Sequence, residues 1–163
     1  MPVIISVVGH SGSGKTTLIV KLVREFKKRH YRVGTIKHAH HGFDIDKKGK
    51  DSYVHKKAGA DAVMLVGPEA IAMVKDQLDS TLSDLELYFS DMDVVLVEGF
   101  KRENNPKIEV FRSDSGEDPL LVKDNLIAFV TDSDVNCPAP KFGLDDTEQL
   151  ADMIIEKFIT SPI

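Results

Sequence analysis

The sequence predicts an α/β fold: a mostly parallel, doubly wound sheet between helical layers, with an antiparallel hairpin and an edge strand as variations. Three observations carry this. Short β-branched apolar runs recur along the chain, segments with helical spacing lie between them, and the glycine-rich stretch "GHSGSGKTTL" (Gly9 to Leu18) joins the first run to the first such segment. Nearly continuous apolar strands are the mark of strands covered on both faces, and their alternation with helices implies right-handed βαβ units.

Taken in order, "VIISVV" (Val3 to Val8) is the first strand. Leu18, Leu22, Val23 and Phe26 then form an apolar stripe on a helix over Thr16 to Arg29, and Lys27, Lys28 and Arg29 sit at its carboxyl end, where the helix dipole favours cations. "RVGTIK" (Arg32 to Lys37), "DAVMLV" (Asp61 to Val66), "DVVLVE" (Asp93 to Glu98) and "LIAFVT" (Leu126 to Thr131) complete the set of doubly covered strands. Further helices are expected over Lys50 to Gly59, Leu78 to Phe89 and Asp146 to Phe158. Two segments break the alternation. "EAIAMVKD" (Glu69 to Asp76) follows Gly67-Pro68 and reads as a strand hairpinned to the one before it. "PKIEVFRS" (Pro106 to Ser113) sets Ile108 and Val110 against Lys107 and Glu109, a period of two that predicts an edge or one-sided strand.

The 163 residues fit one compact domain spanning 1–163, with 42% hydrophobic and 29% charged residues. A formal net charge of −5 argues against bulk nucleic-acid binding, which needs a basic face. With Cys137 as the one cysteine, no intrachain disulfide can form. "MPVIISVV" is too short for a signal peptide and lacks a basic start, and no apolar run reaches membrane-spanning length. A soluble, cytoplasmic protein without a membrane partner is expected.

Gly9-x-x-x-x-Gly14-Lys15-Thr16 matches the Walker A pattern in full, between a buried-type strand and an amphipathic helix. This places the fold among three-layer α/β/α P-loop NTPases. Gly12 and Gly14 allow positive φ and a close backbone approach, so that successive N–H groups from Gly9, His10, Ser11, Gly12, Ser13 and Gly14 onward form an anion nest at a helix start. Lys15 would reach the β and γ phosphates of a nucleoside triphosphate, Thr16 would ligate Mg²⁺, and Thr17 would touch the α-phosphate. Lys15 and Glu98 are the candidate catalytic residues, Thr16 and Glu98 the candidate metal ligands. Asp93 competes with Glu98 for the ion, but at about 3.3 Å per residue the two lie roughly 16 Å apart on one strand. Ligands of open α/β sheets sit beyond the carboxyl ends of the strands, which selects Glu98 and leaves Asp93 at the far edge. Gly99 then serves either approach to the γ-phosphate or a plain turn.

"TIKHAHHGFDID" brings Lys37, His38, His40 and His41 to the carboxyl end of the second strand, with Asp44, Asp46, Lys50, Asp51, Ser52 and His55 following. Three readings stand for this loop: a γ-phosphate switch or site for an anionic second ligand, a solvated loop, or a transition-metal site. Asp46 or Asp51 could also contact Mg²⁺. Lys101 and Arg102 follow Glu98-Gly99 and suit a phosphate, or mere exposure. Thr131-Asp132-Ser133-Asp134 ends a late strand where a guanine-reading aspartate would sit, with "PAPKFG" beyond it. A solvated turn serves the pattern equally, so GTP is favoured over ATP only by a little.

Taken together, "GHSGSGKTTL", "TIKHAHHGFDIDKKGKDSYVHKKAGA" and "VEGFK" resemble the molybdopterin-guanine dinucleotide biosynthesis protein B family along nearly the whole chain. The resemblance implies a homodimeric GTP-binding protein with weak GTPase activity that assists attachment of GMP to molybdopterin. Its implied partners are GTP, molybdopterin as a further ligand, a molybdopterin guanylyltransferase and molybdoenzyme maturation proteins. It also implies that Gly12, Ser13, Gly14, Lys15, Thr16 and Thr17 carry the nucleotide and that Glu98 lies near the metal. His38, His41, Asp46, Gly49, Lys50, Asp51 and His55 match the family's histidine block. Partition-type ATPases carry a lysine early in the loop; His10 stands there instead, against an assembly-driving ATPase.

Two other functions remain open at this level. A small-molecule kinase would use the histidine loop for its acceptor, although the arginines Arg24, Arg29, Arg32, Arg102 and Arg112 are scattered rather than gathered in a lid. A nucleotide-gated scaffold would need no useful hydrolysis, and no catalytic glutamine or arginine finger is evident.

Overall fold

The computed structural model describes residues 1–39, 42, 46–77 and 80–159. The chain divides into two compact units, one formed by Met1–His38 with Thr81–Ile163 and the other by Ala39–Ser80.

The larger unit is built on six strands: β1 (Val3–Val8), β2 (Val33–Lys37), β5 (Val94–Glu98), β6 (Lys107–Phe111), β7 (Leu126–Thr131) and β8 (Lys141–Phe142). Their order is β2-β5-β1-β6-β7-β8, and every pair is parallel. On one face, α1 (Lys15–Lys28) and α4 (Thr147–Ile154) bury Leu18, Leu22, Phe26, Leu150 and Ile154 against Ile5, Val7, Leu96, Ile108 and Val130. The 18, 22, 26 spacing on α1 is the stripe legible in the sequence, and Lys27 and Lys28 do occupy its last turn. The other face is thinner. There Leu82, from α3 (Leu82–Glu86), meets Val95 and Val97, with Phe89 and Met92 from the 3₁₀ turn and loop that follow. Thr81 starts α3 with a capping box, its hydroxyl accepting from the Asp84 amide while the Asp84 carboxylate accepts from the Thr81 amide. The fourth expected helix runs on from α4 as a π-helical turn over Ile155–Ile159. Among the described residues no helix is long and apolar enough to cross a membrane.

The smaller unit holds α2 (Asp51–Lys57) and an antiparallel pair, β3 (Ala62–Val66) with β4 (Ile71–Lys75). The hairpin expected at Gly67-Pro68 is therefore present, closed by the Gly67 amide donating to the Ala70 carbonyl at 2.8 Å.

Two strand expectations need correction. Residues 61–66 read as a strand covered on both faces, yet among the described residues β3 pairs only with β4 and leaves Met64, Leu65 and Val66 exposed. A continuous apolar run records stickiness, and cannot tell a buried strand from one offered to a partner. The second correction concerns residues 106–113, expected as an edge or one-sided strand. β6 is central, between β1 and β7, and all five of its residues are buried. Its polar residues survive there because loop backbone satisfies them. Lys107, 2% exposed, donates through Nζ to the carbonyls of Glu103 and Asn105 at 2.7 and 3.2 Å. Glu109, 1% exposed, accepts from the amides of Leu121 and Val122 at 3.0 and 2.9 Å. The segment 112–125 crosses from β6 to β7 without an α-helix, and these two amides fasten it to β6.

Candidate functional site

The carboxyl ends of the parallel strands converge on the loop between β1 and α1. Gly14, at the N-cap of α1, has φ +99° and Gly12 has φ +77°, the left-handed backbone that the glycines were expected to supply. The first helical bond runs from the Leu18 amide to the Gly14 carbonyl at 2.9 Å, so the amides of Lys15, Thr16 and Thr17 precede it and have no intrahelical acceptor. α1 carries no acidic side chain in its first turn and no side-chain cap, which leaves its positive end to an external anion. Ser11, Gly12, Thr16 and Thr17 are exposed, while Ser13 is 1% exposed. The Ser13 Oγ is enclosed and has no hydrogen-bond partner among the described residues.

Lys15 folds back over this loop, its Nζ donating to the carbonyls of Gly9 at 3.0 Å and His10 at 2.6 Å. Burial lowers its ammonium below a lysine's ordinary pKa; nearby Glu98 opposes the shift and Lys37 adds to it. β5 is parallel to β1 with Val7 opposite Glu98, which sets the acid beside the loop. Glu98 Oε2 accepts from the Thr16 hydroxyl at 2.9 Å, and Lys37 Nζ lies 3.8 Å from Glu98 Oε1. Thr16, Glu98, Lys15 and Lys37 thus form one group. Asp93, at the opposite end of β5, accepts from the Arg32 amide at 2.6 Å.

The turn after Glu98 is tight: Gly99 has φ +108°, Phe100 has φ +49°, and a Cβ on Gly99 would stand 3.0 Å from the Cβ of His38. The His38 ring stacks on Phe100 with centroids 4.4 Å apart, and the His38 amide donates to the Glu98 carbonyl at 3.0 Å. Lys101 is exposed in the same turn. Of the histidine block, His40, His41 and Asp44 lie outside the described residues. Asp46 belongs to the smaller unit, where its carboxylate accepts from the Lys47 amide at 2.8 Å. Among the described residues no three His, Cys, Asp or Glu side chains gather as a metal cluster.

At the ends of β7 and β8, Thr131, Asp132, Asp134, Lys141 and Phe142 line a cavity of about 450 Å³. Asp132 Oδ1 accepts from the Ser113 amide at 2.8 Å, which holds its carboxyl below the usual carboxylate range. Nearer the glycine loop, Ser13, Thr17, Lys21, Arg112 and Asp145 border a smaller cavity of about 200 Å³.

Sequence reasoning missed three features here. Arg112, directly after β6, has no signal of its own, because a period of two suggests an edge or one-sided strand and not a neighbour of β1. Glu117 pairs with Nδ1 of His10 across a sequence gap that no local pattern reveals. Lys37 was noted for its loop, but not as a neighbour of Glu98. A strand order placing residues 107–111 beside β1 would have flagged Arg112.

The chain has relatives along most of its length. Residues 4–132 match the family model described as molybdopterin guanine dinucleotide synthesis protein B. A molybdopterin-guanine dinucleotide biosynthesis adapter protein of Escherichia coli K12 is 39% identical over 153 residues, covering 90% of this chain and 87% of that protein. Its namesake in Haemophilus influenzae is 36% identical, covering 93% and 86%. The crystal structure of Bacillus subtilis MobB superposes with a TM-score of 0.76 at 30% identity, over 96% of this chain and 97% of that one. A family model matched over residues 4–132, relatives up to 39% identical and a superposing architecture along almost the whole length have one common source: the chain belongs to the molybdopterin guanine dinucleotide synthesis protein B family.

Proposed function

We propose that the protein is a GTP-binding accessory factor, a weak GTPase at most, that assists molybdopterin guanine dinucleotide biosynthesis. The accessory role follows the names of its relatives as adapter proteins in that synthesis. The observation that carries the nucleotide reading is the Thr16–Glu98 contact at 2.9 Å, which joins the glycine loop to the acid of the adjacent strand. Both groups offer oxygen, the donor Mg²⁺ prefers, and a P-loop site needs only one or two protein ligands beside the phosphates. The free amides at the start of α1 and the unpartnered Ser13 Oγ suit a polyphosphate. Lys15 would exchange its two carbonyl acceptors for phosphate oxygens, and Lys37 would add charge beside Glu98. Mg²⁺, when bound, supplies charge neutralisation on those oxygens.

The base is assigned to the cavity at Thr131 and Asp132, where an ionised aspartate offers the acceptor that guanine's N–H groups need. Lys101, on the turn after Glu98, and His38, whose ring stacks on Phe100 of that turn, are assigned to sensing the terminal phosphate. The protein acts in the cytoplasm as a homodimer, beside a molybdopterin guanylyltransferase and molybdoenzyme maturation proteins. The exposed apolar face of the β3–β4 hairpin supports self-association.

The test is a competition titration of GTP against ATP with Mg²⁺, with and without molybdopterin. GTP should displace ATP, and Lys15→Ala should weaken GTP binding by about a hundredfold or more. Unchanged GTP affinity in Lys15→Ala would refute the loop assignment.

A further inference from the structure

The nucleotide reading places Lys15 and Lys37 at the outer end of a polyphosphate and leaves the end that joins the nucleoside without a cation. We propose that Arg112 holds the α-phosphate of the bound nucleotide, beside Thr17, and so fixes the position of the nucleoside; this rests on the nucleotide reading and deepens it. Arg112 directly follows β6, the parallel neighbour of β1, so the chain delivers it to the same sheet edge as the glycine loop. Its stem lies against that loop: a Cβ on Gly14 would stand 3.7 Å from Arg112 Cδ. With Ser13, Gly14 and Thr17 it borders the cavity of about 200 Å³.

Two residues bordering that cavity each carry an enclosed polar atom, Arg112 Nε and Ser13 Oγ, with no hydrogen-bond partner among the described residues. Enclosed donors without acceptors are costly, and a phosphate oxygen would satisfy both. The guanidinium is engaged at Nη2, which donates to Asp114 Oδ2 at 3.0 Å. Both side chains of that pair are exposed, 41% and 67%, so it contributes little by itself and serves to orient the fork. Lys21, the other cation lining the cavity, is already committed, its Nζ donating to the Leu144 carbonyl at 2.9 Å and Asp145 Oδ1 at 2.7 Å. Arginine is also the better residue for this duty, because its planar fork can present two donors to one phosphate.

The proposal is tested by calorimetric titration of the wild type, R112A, R112K and K15A with GTP, GDP, GMP and guanosine, all in Mg²⁺. R112A should lose about tenfold in affinity for GTP, GDP and GMP alike, because each carries an α-phosphate, and R112K should recover part of the loss. Guanosine binding should be unaffected, and the K15A loss should shrink from GTP to GMP. An R112A variant with wild-type circular dichroism and unchanged GDP and GMP affinity overturns the assignment, as does an equal loss for guanosine. If the wild type itself takes up no guanine nucleotide, the broader reading falls and this one with it; normal wild-type binding beside an indifferent R112A sinks the arginine alone.

Discussion

Glu98 has both oxygens engaged, Oε2 accepting from Thr16 and Oε1 facing Lys37, while Asp93 on the same strand accepts from the Arg32 backbone amide. Two acids five residues apart therefore have separable duties, and their variants should separate too. Glu98→Gln should reduce Mg²⁺-dependent phosphate release from GTP more than it reduces GTP affinity. Asp93→Asn should leave both alone and cost about 1 kcal/mol in urea unfolding, the worth of one weakened hydrogen bond. The reverse ranking would mean that the other acid serves the ion. Which of them stands beside the loop was legible in the sequence because strand direction alone decides which end faces it. Arg112, Glu117 and the Lys37–Glu98 approach were not legible, since each depends on which strands and crossovers lie side by side.

Among the elements, β6 differs most from its sequence pattern. Alternation of Lys107 and Glu109 with Ile108 and Val110 normally marks a wet face, and here that face is covered by segment 112–125 instead of a helix. Carbonyls meet the lysine, amides meet the glutamate, and the strand can sit in the centre. Glu109→Ala should then cost about 2 kcal/mol, because it leaves the Leu121 and Val122 amides without their charged acceptor. Denaturant unfolding measures the loss, and amide exchange should quicken first within 117–124. A loss below about 0.5 kcal/mol, with exchange unchanged, would mean that the segment is held by other contacts. The strands β1, β5 and β7 were readable as continuous apolar runs, and α1 by its 18, 22, 26 stripe. β8, two residues long, has no period to read, and α3 opens on the Thr81 cap, while Leu78, where the helix was expected to start, lies outside the described residues.

For the molecule as a whole, the sequence suggests one domain, and the chain forms two compact units. The smaller carries the apolar hairpin, where Val66 and Ile71 pair across the strands at 74% and 69% exposure. If that face joins two copies, the wild type should sediment at twice the chain mass and the double variant Val66→Asp, Ile71→Asp at the mass of one chain. Uptake of one GTP per chain should persist. Sedimentation that does not change would place the dimer contact elsewhere. What covers residues 61–66 was not legible for a physical reason: an apolar run signals burial without saying whether the covering surface belongs to the same molecule.

The central claim is that the amides opening α1 grip a polyphosphate, and an amide-resolved NMR titration of the nitrogen-15-labelled chain with GTP and Mg²⁺ tests it most directly. The largest shifts should fall on the N–H signals of Gly12 through Thr17, with Arg112 Nε and the Glu98–Gly99 turn following. Saturable binding that leaves those loop amides in place and moves signals elsewhere would contradict the account.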